Sequence, residues 1–260
     1  MPRFACNLNW LFGEWPYLDR FAAAADAGFT AVETIAPWDH APDAIAQRLE
    51  DNGLTLALFN LPGCNPAGDT YGLAALPDRF DEFRDSVARA LDLARATGVH
   101  CAHMMSGRAD PNDPEARKSY ERAMHYAAEA FAPLGVTLML EPINTRDIPG
   151  YYLRDFPMAE TLVETADLPN VKLQFDIYHR QIVHGDVTVA LRRLMPIIGH
   201  IQVASVPSRN EPDGEELNFP FLFAELDRLG YTGFVAGEYR PRGHTIEGLG
   251  WAKAYQDSAG

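Results

Sequence analysis

Thiols are scarce in this sequence: its 260 residues include three cysteines, Cys6, Cys64 and Cys101, far apart and in no Cys-x-x-Cys pair. Neither a disulfide framework nor a thiolate zinc site is expected. Positive charge is also short, with 22 Lys and Arg against 36 Asp and Glu and a formal net charge of −14 at neutral pH. Phosphate backbones are gripped mainly by Lys and Arg, so no nucleic-acid partner is expected. Long apolar runs are missing too. The stretch from Leu194 to Pro207, free of Lys, Arg, Asp and Glu, falls short of the ~20 residues a membrane helix needs. The opening Met-Pro-Arg-Phe-Ala-Cys-Asn lacks the regions of a signal peptide, which points to a cytoplasmic protein with reduced thiols. Gly-x-Gly-x-x-Gly after the first strand, Gly-x-x-x-x-Gly-Lys-Ser/Thr, Gly-x-Ser-x-Gly and His-Glu-x-x-His are all absent, so no nucleotide or flavin cofactor, activated serine or zincin centre is expected.

What is present is an ordinary globular composition, 47% hydrophobic and 22% charged, with no linker, repeat or low-complexity tract. Short apolar runs alternate with longer amphipathic segments. The runs predict strands at Phe4–Leu8, Ala31–Ile35, Leu54–Phe59, Cys101–Met105, Val136–Leu140, Val171–Phe175, Ile197–Val203 and Phe234–Ala236. Between and after them, helices are expected at Tyr17–Ala27, Pro42–Asn52, Asp78–Thr97, Asp113–Pro133, Phe156–Ala166, Val187–Leu194, Pro220–Leu229 and Glu247–Tyr255. Eight strands alternating with eight helices is the count of a single (β/α)8 TIM barrel spanning residues 1–260, and near-continuous apolar strands suit a parallel sheet covered by helices. The rival, an open doubly wound sheet, loses ground without a glycine-rich phosphate loop.

In such a barrel the strand ends carry the chemistry, so polar residues closing apolar strands stand out. Glu141, Asp176, Gln202 and Glu238 close or end the fifth to eighth predicted strands, 35, 26 and 36 residues apart, about one βα unit each. Any one acidic residue there could simply cap the next helix. Three carboxylates and a carboxamide converging in a dry cavity need a cation among them. All-oxygen ligation favours a hard divalent metal, Mg or Mn, over zinc.

His179, in Asp-Ile-Tyr-His, is expected on the loop after the sixth strand, within reach of a substrate oxygen or a ligand. His103 on the fourth strand and Arg209, seven residues past Gln202, are further candidates for binding substrate, Arg209 because a guanidinium grips a carboxylate in bidentate fashion. The long loop Asn60–Leu73 is expected as a lid or an Ω-like loop. The polar segment Arg209–Asn218 is expected to help close the same face, with Trp10, Phe12, Trp38 and Tyr239 either walling the pocket or packing as core.

Taken as an ordered set, six segments resemble the hydroxypyruvate isomerase family, within the barrels similar to xylose isomerase. They are Arg3-Phe-Ala-Cys-Asn-Leu, Glu141-Pro-Ile-Asn-Thr-Arg-Asp-Ile-Pro-Gly, Gln174-Phe-Asp-Ile-Tyr-His, Gly199-His-Ile-Gln-Val-Ala, Glu211-Pro-Asp-Gly-Glu-Glu-Leu-Asn and Gly237-Glu-Tyr-Arg-Pro-Arg-Gly, and the resemblance covers essentially the whole chain. It implies interconversion of hydroxypyruvate and tartronate semialdehyde, with Glu141 and Glu238 as the proton donor and acceptor pair. It also implies a metal held by Glu141, Asp176, Gln202 and Glu238. Ketose 3-epimerases are similar but carry His where this chain has Gln202, and 2-oxo-tetronate isomerases are not separated from hydroxypyruvate isomerases by these motifs. A barrel-type DNA-repair endonuclease and a non-catalytic sugar-acid-binding barrel are the remaining alternatives. The expected partner is a small hydroxy or keto acid or a sugar; a homo-oligomer is compatible with the sequence.

Overall fold

Eight short strands pair in parallel and in chain order, and the eighth returns to the first, closing a barrel. The computed structural model describes residues 2–63 and 70–256. The strands are β1 (Arg3–Asn7), β2 (Ala31–Thr34), β3 (Thr55–Asn60), β4 (Cys101–His103), β5 (Thr137–Leu140), β6 (Val171–Asp176), β7 (Ile198–Val203) and β8 (Phe234–Gly237). Closure pairs Phe4 with Val235 and Cys6 with Gly237. Each expected strand is present within a residue or two of its expected ends, and the (β/α)8 barrel is the observed fold.

Helices α1 (Arg20–Asp26), α2 (Pro42–Asp51), α3 (Phe80–Thr97), α4 (Pro114–Phe131) and α5 (Phe156–Thr165) cover the first half. They form where the periodicity dictates, and α4 and α5 also start on an aspartate cap. In α4, Asp113 accepts the Glu115 backbone N–H at 2.9 Å, Pro114 takes the first turn, and Tyr120, Ala123, Ala127 and Phe131 line the buried side. Gly98 ends α3 at φ 65°, a left-handed position that costs other residues free energy. After β6 the chain departs from expectation. Two helices follow, α6 (Ile177–Val183) and α7 (Val187–Leu194), before α8 (Phe219–Arg228) and α9 (Gly250–Gln256). His179 therefore sits in the first turn of a helix and not on a loop. The expected final helix is also divided, with a 3-10 turn at Thr245–Gly248 ahead of α9.

The main apolar core lies between barrel and helices, where Phe4 meets Phe223 and Trp251 edge-on at 5.0 and 5.1 Å. Phe12 and Tyr239 belong to buried packing of this kind. Phe12 packs on Trp15 and Phe29, and Tyr239 accepts a hydrogen bond from Trp251 Nε1 at 3.1 Å. Ala5, Ala31, Ala57 and Ala236 form a second, separate cluster on β1, β2, β3 and β8. Two residues along from Ala5 and Ala31, on the same strand face, come Asn7 and Glu33. Glu33 on β2 bonds to His200 and Gln202 on β7. Those strands are not sheet neighbours, so the contact crosses the lumen. Small side chains below leave room for a polar layer above. No helix among the described residues is long and apolar enough to cross a membrane.

Candidate active site

The polar layer is assembled by strand ends. Asp176 closes β6, and its backbone pairs with Gln202 on β7. Glu141 follows β5 directly, and Glu238 follows β8, its N–H donating to Val203 O at 3.1 Å. All four side chains are buried. Ligand atoms of Glu141, Asp176 and His179 lie within 4.8 Å of one another, so the two carboxylates and the imidazole face one space. Glu238 stands outside that trio, drawn to Arg209, whose Nη2 lies 3.3 Å from Glu238 Oε2 and 3.8 Å from Asp176 Oδ2.

Asp176 is a helix cap and a site residue at once. Its Oδ1 accepts the Tyr178 backbone N–H at 2.7 Å, starting α6, while Oδ2 is buried without a hydrogen-bond partner. Glu141 repeats the pattern, with Oε2 3.4 Å from His103 Nδ1 and Oε1 unpartnered. Orphaned carboxylate oxygens in a buried site are costly unless a cation or proton meets them, and two hard oxygens facing one space fit a divalent ion.

The electrostatics agree. Burial first, then the charges of Glu238 and Asp176, push the Glu141 carboxyl well above its usual range. Burial likewise raises Glu238 to about 8 and Asp176 to about 6, with Arg209 opposing both. Without a metal, the site relieves its repulsion by keeping protons and by inserting Arg209.

Arg209 comes from the loop after β7, where its backbone takes a left-handed φ of 56°. Its guanidinium carbon lies 4.7 Å from the ring centres of both Trp10 and Tyr178, and its Nη1 pairs with Asp147 at 3.0 Å. Of the expected wall aromatics, Trp10 thus borders the charged cluster, whereas Trp38 packs on Phe59. The segment Arg209–Asn218, expected to help close the mouth, places Arg209 at the acidic cluster and is clasped to the loop after β8. Arg242 N donates to Glu211 Oε1 at 3.0 Å, Asn210 Nδ2 to Arg240 O at 2.7 Å, and Glu211 is buried. Of the other expected lid, residues 64–69 lie outside the described residues. Its neck is closed by Gly72 N–H to Gly63 O at 3.0 Å, and a Cβ on Gly72 would meet Met105 O at 2.3 Å.

Both histidines are neutral, with their protons placed by neighbours. Asn144 donates to His179 Nδ1 through its backbone N–H at 3.4 Å and its Nδ2 at 2.6 Å, while Asn144 Oδ1 accepts from Asp147 N at 2.9 Å. Nδ1 is therefore an acceptor, and the ring proton belongs on Nε2, 3.5 Å from Asp176 Oδ2 and 4.0 Å from Glu141 Oε1. Burial, then the Arg209 charge, hold His179 well below its usual pKa. Burial, aided by His200, lowers His103 to about 3. Its Nδ1 sits 3.2 Å from Asn60 Oδ1, and its Nε2 is buried without a hydrogen-bond partner.

Gln202 reaches across the lumen. Its Nε2 donates to Glu33 Oε2 at 2.9 Å and its Oε1 accepts from Gln174 Nε2 at 2.7 Å. Glu33, Gln174, Asn7, Asn60 and Asn144 are the polar residues that motif reading passed over. A glutamate inside the short apolar strand Ala-Val-Glu-Thr was the available signal.

Fold and site together define a (β/α)8 barrel with a buried acidic centre at the strand ends. A family model, the xylose isomerase-like TIM barrel, matches residues 21–255. The 2-oxo-tetronate isomerase of Cupriavidus necator is 49% identical, over 98% of this chain and 99% of its own length. The hydroxypyruvate isomerase of Escherichia coli is 36% identical over 98% and 100%. A crystal structure titled AP endonuclease, family 2, from Brucella melitensis superposes with a TM-score of 0.95 at 44% identity, covering 98% of this chain and 99% of that one. The chain belongs to the xylose isomerase-like TIM barrel family, alongside its hydroxypyruvate and 2-oxo-tetronate isomerases.

Proposed function

We propose that the chain is a metal-assisted isomerase that interconverts a small 2-oxo-3-hydroxy acid and its 2-hydroxy-3-oxo isomer. Hydroxypyruvate, giving tartronate semialdehyde, is the smallest such acid. A 2-oxo-tetronate differs by one further hydroxymethyl group and is the second reading, favoured by the 49% identity to an enzyme of that name. The observation that carries the proposal is the pair of buried, unpartnered oxygens on Glu141 and Asp176 beside a proton-bearing His179 Nε2.

Glu141, Asp176, Gln202 and Glu238 would hold the ion, with Mg or Mn favoured by oxygen donors. When bound, it supplies Lewis-acid stabilisation of negative charge on the substrate oxygens. The chain's own groups do the rest. One of Glu141 and Glu238 removes the proton from the carbon bearing the hydroxyl, leaving an enediolate, the other returns a proton to the neighbouring carbon, and the hydroxyl proton passes to the former carbonyl oxygen to leave the aldehyde. Glu238, raised to about 8, can carry or accept a proton near neutrality, and burial with the charges of Glu238 and Asp176 pushes the Glu141 carboxyl in the same direction. His179 donates a hydrogen bond from Nε2 to a substrate oxygen, and the lone pair on His103 Nε2 accepts one from a hydroxyl. Arg209 takes the substrate carboxylate, leaving Glu238 free to act.

The deciding experiment measures kcat/KM of the purified chain for hydroxypyruvate, 2-oxo-tetronates and free ketoses, with Mg, with Mn and with EDTA. Metal-dependent turnover of an acid is expected. No turnover of any acid under saturating Mn would overturn the proposal, and Mn-dependent nicking of abasic DNA in its place would install the nuclease reading.

A further inference from the structure

Gln202 belongs to a hydrogen-bonded chain across the lumen whose other members have no part in the isomerisation proposed above. Glu33, fully buried on β2, is surrounded by donors. His200 Nε2 meets Oε1, while Oε2 faces Gln202 Nε2 at 2.9 Å and Asn7 Nδ2 at 3.3 Å. A carboxylate accepts and does not donate. Glu33 therefore fixes which way round the Gln202 amide lies: the NH2 end is held toward β2, and the carbonyl oxygen must occupy the opposite side. Gln174 Nε2 then donates to that oxygen at 2.7 Å, and its own Oε1 is left buried without a partner. An amide oxygen has two lone pairs, so accepting from Gln174 leaves one for an ion.

The geometry points to Glu33 as a positioning residue for the metal centre: from across the lumen it locks Gln202 in the one amide orientation that offers oxygen, not nitrogen, as a ligand. The inference rests on the metal centre proposed above. It gives a reason for a carboxamide at this strand end, since a second carboxylate there would face Glu33 with no proton donor between them.

The polarity of the chain makes the idea testable. In Glu33→Gln, the His200 donor claims the new amide oxygen at the Oε1 place, and the NH2 falls at the Oε2 place, facing Gln202 and, across the longer 3.3 Å contact, Asn7. Two NH2 groups cannot face each other, so Gln202 flips. Gln174 follows, and its idle Oε1 becomes the acceptor for the reversed amide. Nitrogen, which has no free lone pair in an amide, replaces oxygen at the ligand position. Partners of this kind typically change metal affinity by about 10–100-fold. The double variant Glu33→Gln/Gln202→Glu restores a donor facing an acceptor and supplies a ligand oxygen in either orientation.

Mn affinity of the full chain, by calorimetric titration of the metal-free protein with the melting temperature measured alongside, decides the matter. The single variant is expected to lose about 10–100-fold in Mn affinity, and the double variant to recover it. A wild-type chain that binds no Mn overturns the metal centre and this inference with it. A wild type that binds while Glu33→Gln binds equally well overturns the inference alone. Should the single variant fail to fold, the double variant still decides: folded and binding Mn like the wild type supports the inference, and folded without Mn affinity refutes it.

Discussion

Asn144 turns two N–H groups onto one nitrogen of His179, at 2.6 and 3.4 Å, and thereby determines the tautomer of a ring 35 residues away in sequence. Replacing the carboxamide by a carboxylate reverses that instruction. Asn144→Asp presents an acceptor to Nδ1, draws the ring proton there and strips Nε2 of its donor. Turnover of hydroxypyruvate should fall roughly 10²-fold, the lower range for loss of one positioned hydrogen-bond donor to a developing charge, with Mn affinity and melting temperature nearly unchanged. Steady-state kinetics beside a calorimetric metal titration would show the split; equal losses in both would refute it.

The two glutamates are predicted to act as a unit. Glu141→Gln and Glu238→Gln should each lower turnover by about 10²–10⁴-fold, and the double variant should be scarcely worse than either single one. None should unfold the barrel, because both carboxyls are buried groups whose charged form is disfavoured. Penalties that multiply in the double variant while Mn remains bound would mean independent roles.

The raised carboxyl pKa values carry a pH signature. Asp176, at about 6, and Glu238, at about 8, both titrate above the value of about 4 expected for unfolded chains. The folded state thus holds protons that the unfolded state has released, so this stabilisation is complete below pH about 4 and lost as pH rises through 6 and 8. In EDTA the melting temperature should decline from pH 5 to 9. With Mn the decline should vanish, and Mn affinity should rise over the same interval as the ion displaces those protons. A flat profile in EDTA would count against the assignment.

Arg209→Met tests the carboxylate grip. Losing a charge-assisted contact worth roughly 1.5–3 kcal/mol corresponds to about 10–150-fold in kcat/KM for an anionic substrate. Hydroxypyruvate should suffer this loss, while any turnover of a neutral ketose should change far less. A uniform loss across both substrate types would mean that Arg209 serves the Glu238 geometry and not the substrate.

Some of this was legible in the chain and some was not, for physical reasons that differ residue by residue. Strand ends showed themselves because an apolar run closing on Glu141 or Asp176 is a sharp change of polarity, and one βα unit separates each from the next. α6 stayed hidden because its seven residues span barely two turns, too few for a 3.6-residue period to register, and because Asp176 serves the strand and caps the helix. Phe12 and Tyr239 could be read as wall, although aromatic residues at such places are more often core, and packing put them in the core. Glu33 was passed over because a β2–β7 contact depends on barrel closure, which no local pattern encodes. Arg209 was picked out for a carboxylate; that its neighbours would be Asp147, Asp176 and Glu238 depended on a loop whose path is set by contacts with Trp10, Tyr178 and the segment after β8.

Arg209 is an internal counter-ion. A centre with this many buried acidic groups would ordinarily have to wait for its metal before the surrounding strands could settle, tying the yield of folded protein to the local supply of ions. Here the chain brings its own positive charge, anchored to the rings of Trp10 and Tyr178 and to Asp147. The barrel can therefore finish folding empty and load afterwards. Which ion the proposed metal centre would then carry becomes a question of what the surroundings offer and how fast it exchanges, and a chelator should leave behind a folded protein ready to be recharged.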